Sequence, residues 1–233
     1  MRHHLLWAAA AIAPLVACTP RAIVPEAEQA RVARELDGRQ RFLRVAAYVG
    51  PLWSDTGKVF VSDQPASEVD LVETAGGTPI PPPPFQRVLP PGTPVRIARV
   101  EFPSSYLIAQ RVMTTPRYHP WVYLQVGGDA RPHVVVLSQT VATYEDVRGE
   151  LDRLLTTDDP RPAYGALAPD LRDAVLRKEA LEGMSAQALE MAWGLPERKR
   201  IDRPAHTEEW IWPGGKRRVY LREGQVEQVE KAR

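Results

Sequence analysis

Alternation of apolar and polar residues predicts short strands over much of the first half of the chain. The clearest pair is Trp121–Val126 and 133–137, both rich in β-branched and aromatic residues and separated by Gly127-Gly128-Asp129. Two such runs joined by a glycine turn predict a β-hairpin. A further apolar run over 95–102, bounded by Pro103, predicts another strand. We therefore predict a β-rich domain over residues 42–157, either a small barrel or a half-open sheet, that ends in a helix.

The closing helix is indicated by a change to helical spacing after Thr143. Four apolar residues follow at positions i, i+4, i+7 and i+8, which is one helical face: Val147, Leu151, Leu154 and Leu155. Thr143 with Asp146 three residues later is typical of a capped helix start. The prolines at 160 and 162 end the pattern, so we interpret residues 158–167 as a linker.

Residues 168–233 carry two helical patterns and then three strand patterns. The first helix is predicted over 169–181, and the second begins after Ser185 as N-cap and closes at Gly194. Strands are predicted over 208–212, Arg217–Arg222 and 225–229, with turns rich in glycine between them. The fold class predicted for the whole chain is α+β, with an ααβββ domain that we expect to fold as a separate unit.

Pairing these strands across their turns sets Trp210 opposite Val219 and Leu221 opposite Val226. Period-two alternation then places these residues and Trp212 on one face, which the two helices cover. A second group falls on the opposite, mixed face: Glu209, Ile211, Arg218, Tyr220, Gln225 and Glu227. We favour a core role for the two tryptophans over the alternative of a binding platform.

Several short motifs recur in the order found in one known family. They are Gly183-Met184-Ser185, Trp193-Gly194-Leu195-Pro196, Glu209-Trp210-Ile211-Trp212, Val219-Tyr220-Leu221 and Gly224-Gln225-Val226. Over about residues 175–230 the chain resembles the SmpA/OmlA (BamE-like) outer-membrane lipoproteins. The resemblance implies a non-enzymatic α+β module, and the family's type member is an accessory subunit of the outer-membrane β-barrel assembly machine. The family protein is essentially that module on a short tether, whereas this chain adds a β-rich region.

The first residues combine a basic start at Arg2, an apolar run over 5–17 and Leu15-Val16-Ala17-Cys18. This is typical of a secretory signal, here residues 1–17, and the apolar run is shorter than the about 20 residues that a spanning helix needs. Leu-Val-Ala-Cys resembles a lipobox, which implies lipid on Cys18. We expect the protein to be attached to a membrane through Cys18, followed by a tether or short helix over 18–41. Because Thr19 stands where the inner-membrane sorting rule has Asp, we expect the outer membrane, with the protein facing the periplasm.

Charge and motifs exclude several classes of function. With Arg2 removed, the chain carries 29 basic residues, one fewer than the 30 of the full sequence, against 29 acidic ones. This balance argues against a nucleic-acid partner. The sequence has no Gly-rich phosphate loop, Gly-x-Ser-x-Gly elbow or His-Glu-x-x-His helix, and its later histidines, His119, His133 and His206, are far apart. We expect no cofactor, no metal and no catalysis, although a Ser–His–Asp set defined only by geometry stays open.

The candidate surface of the last domain consists of two basic clusters and a tyrosine. Its residues are Arg198, Lys199, Arg200, Arg203, Lys216, Arg217, Arg218 and Tyr220, and we place the clusters in loops or at a strand start. They can meet anionic lipid headgroups or a partner, and the alternative is a solvated charged rim. The proline-rich residues 79–84 are expected to be extended, as a stiff loop or as a ligand for a partner.

Three functions are compatible with these features. The first is a non-catalytic lipoprotein that acts through contacts with an envelope protein, in assembly or maintenance of the outer membrane. The second is a binding module whose β-rich domain recognises a cell-wall component or a small ligand. The third is an envelope hydrolase.

Overall fold

A computed structural model describes residues 23–231, and the fold class is α+β as predicted. Cys18 and the signal over 1–17 lie outside the described residues. The helices are α1 (Glu26–Leu36), α2 (Ser105–Gln110), α3 (Tyr144–Leu154), α4 (Arg161–Gly165), α5 (Pro169–Leu176) and α6 (Ala186–Trp193). The strands of the first sheet are β1 (Gln40–Leu43), β2 (Ala47–Leu52), β3 (Asp55–Ser62), β4 (Arg87–Leu89), β5 (Pro94–Glu101), β6 (Trp121–Val126), β7 (His133–Val136) and β8 (Leu155–Thr156). Those of the second sheet are β9 (Arg198–Asp202), β10 (Thr207–Ile211), β11 (Arg217–Arg222) and β12 (Gln225–Lys231).

The eight-stranded sheet has the order β4-β2-β3-β7-β6-β5-β1-β8. The sheet has two free edges, β4 and β8, so residues 23–231 do not form a closed barrel. Of the two predicted alternatives, the half-open sheet is the one observed. The predicted hairpin is confirmed, with Trp121 paired to Val136 and Leu124 to His133. Strands β3 and β7 pair in parallel, whereas the neighbouring pairs are antiparallel.

Helices α1 and α3 cover one face of this sheet. Val32 of α1 and Val147 of α3 are buried in the same hydrophobic core. The predicted capping box of α3 is confirmed, with Asp146 N–H donating to the Thr143 hydroxyl at 3.2 Å. Helix α1 is the short helix expected within 18–41, and it packs as part of the β-rich fold.

The other face of the sheet is covered by aromatic side chains and by the proline-rich segment. Residues 79–84 are extended, as predicted, and the Trp53 indole N–H donates to the Ile80 carbonyl at 2.9 Å. Next to the prolines, the Phe85 ring stacks on that of Tyr48, with centroids 5.0 Å apart. The segment is thus packed against the sheet, which agrees with the stiff loop among the two alternatives.

The second sheet has the order β12-β11-β10-β9, with α5 and α6 on one face. The predicted register is confirmed, because Trp210 pairs with Val219 and Leu221 with Val226, and all four are buried. The prediction of three strands is wrong by one, since residues 198–202 form the edge strand β9 instead of a loop. The first helix also ends earlier, at Leu176, because Lys178 adopts a left-handed backbone conformation (φ 56°).

The two sheets belong to modules that share a buried junction. Ala46, just before β2, lies in the core of the second module, and its N–H donates to the Met191 carbonyl at 2.7 Å. The connecting residues 158–167, interpreted as a linker, contain the short helix α4. The junction places β3, α3 and Pro213, just before β11, close together, and a cleft forms there.

Candidate functional site

The edge strand β9 is the most exposed strand of the second sheet. All five of its residues are exposed, and no strand of the described chain pairs with its outer side. A free edge presents unpaired N–H and C=O groups that an extended peptide can join. Ile201 in this strand is 57% exposed, which is unusual for a large apolar side chain of the described residues. The edge therefore offers both backbone groups and an apolar contact.

A depression of about 320 Å³ lies beside this edge. Its lining combines charged and apolar groups: Arg200, Ile201, Asp202, Thr207, Glu208, Glu209 and Tyr220. Tyr220 is half-buried on the face away from the helices, and its hydroxyl donates to a Glu230 carboxylate oxygen at 3.5 Å. The predicted tyrosine, on β11, thus shares this depression with residues of β9, the strand that the sequence did not predict.

The predicted basic residues are divided between the two faces of the sheet. Arg200 and Arg218 flank Glu209 on the outer face, with N···O distances of 2.8 and 3.3 Å. Lys199 points to the helix side, 3.6 Å from the Trp210 ring centroid. Three further members are exposed in β9 or in turns: Arg198, Arg203 and Lys216.

Arg217 is a buried member of the predicted cluster. Only 9% of the residue is exposed, and its guanidinium lies 2.9 Å from the Glu68 carboxylate of the first module. It also lies 5.0 Å from the Trp193 ring centroid. Because these contacts occupy the side chain at the junction, Arg217 does not contribute to the exposed basic surface.

The cleft at the junction is the second candidate site, with a volume of about 530 Å³. It lies at the carboxyl ends of β3 and β7, the parallel pair, and ligands of open α/β sheets bind at such ends. Apolar side chains form much of its wall: Phe60, Val69, Leu71, Val135, Leu137 and Leu154. Acidic groups outnumber basic ones in the lining, with Asp63, Glu68, Asp70 and Glu150 against Arg153.

Two titratable groups of the cleft are shifted by burial. Burial raises the pKa of the Glu150 carboxyl, which accepts a hydrogen bond from Ser138 N–H at 2.8 Å. Burial lowers the pKa of His119, which favours the neutral imidazole. The hydrogen-bond partners assign its tautomer, with Nδ1–H donating to the Leu137 carbonyl and Nε2 accepting from the Gln139 amide. Both ring nitrogens are therefore occupied.

The hydroxyl, histidine and acidic side chains of residues 23–231 are not arranged for catalysis by a Ser–His pair or for metal binding. The Ser138 hydroxyl pairs with the Thr140 hydroxyl, and no described histidine hydrogen-bonds a serine or threonine hydroxyl. Within the same range, no group of three or more His, Cys, Asp or Glu residues has an arrangement able to hold a metal ion. Across the described helices, none has the length and apolar character needed to cross a membrane.

Comparison of the chain with protein-family models, with curated proteins and with solved structures gave no match.

Sequence reasoning did not identify the cleft or the junction residues. Three residues of the cleft are far apart along the chain. His119 and Glu150 hydrogen-bond residues just after β7, and the parallel pairing of β3 with β7 brings Asp63 to the same place. The burial of Lys178 could not be predicted either, because its partner, the Ala46 carbonyl, is 132 residues away in the sequence. The exposed Ile201 was detectable as an isolated apolar residue within a basic run.

Proposed function

We propose that this protein is a lipid-anchored, non-catalytic envelope protein that acts by binding another protein along β9. The observation that carries the proposal is the free β9 edge with its exposed Ile201. Support for the anchor comes from the lipobox-like residues before Cys18. The resemblance of 175–230 to the SmpA/OmlA lipoproteins favours a role in assembly or maintenance of the outer membrane, and the β-barrel assembly machine is one candidate partner.

The charge of the edge limits the partner's chemistry. Strand β9 begins with Arg198, Lys199 and Arg200, while Arg203 follows it in the turn. An extended partner segment with acidic residues and one apolar side chain opposite Ile201 complements this surface. Backbone hydrogen bonds supply part of the affinity, and the apolar contact sets the register of the added strand.

A photo-crosslinking amino acid at position 201 tests the proposal in intact envelopes. We expect a specific crosslinked protein at 201 and none at Gln228, an exposed position on β12 at the other edge of the same sheet. In the second arm, Arg198→Glu with Arg200→Glu removes the basic surface and should abolish the 201 product. Equal crosslinking at 201 and 228, or none at 201, contradicts binding along β9.

The junction cleft supports a second function, recognition of a cell-wall component or small ligand. Its acidic lining favours a ligand that carries amino groups beside an apolar part. Cosedimentation of the protein with purified cell wall measures this directly. Binding that is lost in Asp63→Asn with Asp70→Asn, but is kept in Ile201→Asp, favours the cleft over the β9 edge.

A further inference from the structure

The connection between β5 and β6, residues 102–120, exposes an unusual number of large apolar side chains. Four of the six exposed large hydrophobic residues of the described chain lie here: Tyr106 (70% exposed), Val112 (41%), Met113 (75%) and Tyr118 (44%). Single exposed residues of this kind, scattered over a surface, are normal, whereas four within one connection are a concentration. We call these four side chains the apolar loop surface.

The segment is held in shape by the buried Arg111. Its guanidinium donates to the His119 carbonyl and to the Glu101 carboxylate, each at 2.7 Å. The same group lies 3.8 Å from the Trp121 ring centroid. Helix α2 is capped by the Ser104 hydroxyl, which accepts from Leu107 N–H at 3.2 Å. The exposed side chains therefore project from an ordered connection.

Tyr118 of the apolar loop surface lies beside Ile23, where the described chain begins. Glu101 pairs with Trp121, so both ends of the connection emerge at one end of the β5–β6 hairpin. Ile23, 85% exposed, lines one small depression with Tyr118 of this connection. Cys18 precedes Ile23 by five residues, and five extended residues span at most about 18 Å. A lipid on Cys18 therefore lies within that reach of this end of the fold.

The charge of the connection also suits a lipid surface. Residues 102–120 contain no Asp or Glu, and because Arg111 is buried against Glu101, Arg117 is the arginine of this connection that can meet a headgroup. The Arg117 guanidinium lies 4.8 Å from the Tyr118 ring centroid, and it donates to the Tyr118 hydroxyl at 2.8 Å. Tyrosine is enriched at bilayer interfaces, and basic groups such as Arg117 are attracted to anionic headgroups.

We infer that the apolar loop surface inserts into the interfacial region of the membrane that holds the anchor. This inference rests on the proposed lipid on Cys18. It adds that the fold is oriented on the bilayer, with the outer end of the β5–β6 hairpin toward the lipid. Amphipathic helices bury their apolar faces about 5–10 Å into the headgroup and acyl boundary, and we expect a similar depth here.

A fluorophore on Met113→Cys tests the inference in the full, lipidated chain. Cys18 is the only native cysteine and lipid consumes its thiol, so the introduced cysteine alone reacts with a maleimide probe. The protein is reconstituted into vesicles of phosphatidylethanolamine and phosphatidylglycerol. The matched control is Gln228→Cys, also exposed but in the second sheet. We expect nitroxide-labelled lipid to quench the probe at 113 and not at 228, and iodide quenching to be several-fold weaker at 113.

The outcomes separate this inference from the anchor itself. A vesicle-bound protein with equal iodide quenching at 113 and 228 overturns the insertion and leaves the anchor standing. A probe at 113 shielded from iodide but not quenched by lipid nitroxide shows a protein covering and also overturns it. A chain without lipid on Cys18, detected by mass spectrometry, overturns the anchor and the insertion together.

Discussion

The Lys178 ammonium nitrogen lies 2.5 Å from the backbone carbonyl oxygen of Ala46, across the junction between the two modules. Burial lowers the pKa of this lysine to about 7, while the nearby Asp63 raises it and Arg217 lowers it. The side chain also lies 5.1 Å from the Tyr48 ring centroid. The Lys178 amine is thus buried at the junction, although the sequence around it shows no pattern that indicates burial.

This pKa makes the stability of the folded chain depend on pH. The unfolded chain keeps the Lys178 proton up to about pH 10.4, whereas the folded chain loses it near pH 7. Between these values the unfolded state binds more protons, so the free energy of unfolding rises with pH. We expect it to rise more steeply from about pH 7 to 9 in the wild type than in Lys178→Met. If denaturant titrations give the same pH dependence of the free energy of unfolding for the wild type and Lys178→Met, the lowered pKa of Lys178 is contradicted.

The ion pair between Arg217 and Glu68 provides a second test of the junction. Both side chains are largely buried, with 10% and 15% exposure. Glu68→Ala leaves a buried guanidinium without its carboxylate and should lower the free energy of unfolding by about 3 kcal/mol. The control Asp159→Ala breaks the solvent-exposed Arg161–Asp159 pair, where Arg161 is 60% exposed, and should lower the free energy of unfolding far less. Equal losses in chemical denaturation would show that the junction pair is not structurally important.

The register of the second sheet predicts unequal costs for two aromatic truncations. Trp210 is 2% exposed and its indole N–H donates to Glu208 at 2.7 Å, so Trp210→Ala should cost about 3–5 kcal/mol. Tyr220→Ala, on the half-buried outer face, should cost much less and weaken capture of a partner instead. Thermal melts of the two variants measure the difference, and a lower melting temperature for Tyr220→Ala would contradict the burial of the tryptophan face.

The fragment 168–233 is expected to fold by itself, because its helices and strands pair mainly with their neighbours in sequence. It should be less stable than the same module in the full chain, since it lacks Ala46 and Glu68, which bind Lys178 and Arg217. Amide spectra of the fragment, with denaturant melts, measure both properties. A disordered spectrum would show that the junction is required for folding.

Elements set by local pattern were predictable from the sequence. The β6–β7 hairpin, the capping box at Thr143 and the pairing of Trp210 with Val219 all depend on nearby residues. Strand β9 was missed because Arg-Lys-Arg-Ile-Asp shows no apolar alternation, and an edge strand can form with little burial.

Sites formed by distant residues were not predictable. The cleft needs the parallel pairing of β3 with β7, which no short turn enforces. Arg217 was predicted on the exposed basic surface but is buried at the junction. A basic run in the sequence does not indicate that one of its members pairs with Glu68 of another module. The exposed surface around β9 was only partly predictable, through Arg198, Arg200 and Tyr220.

The anchor on Cys18 is the central claim, and fatty-acid labelling tests it most directly. Cells that express the full chain are fed a fatty-acid analogue, alongside cells that express Cys18→Ser, and both chains are fractionated with the membranes. We predict label in the wild-type protein, which sediments with membranes, and none in the variant, which is released or remains an uncleaved precursor. A wild-type protein that is unlabelled and fully soluble would contradict the account.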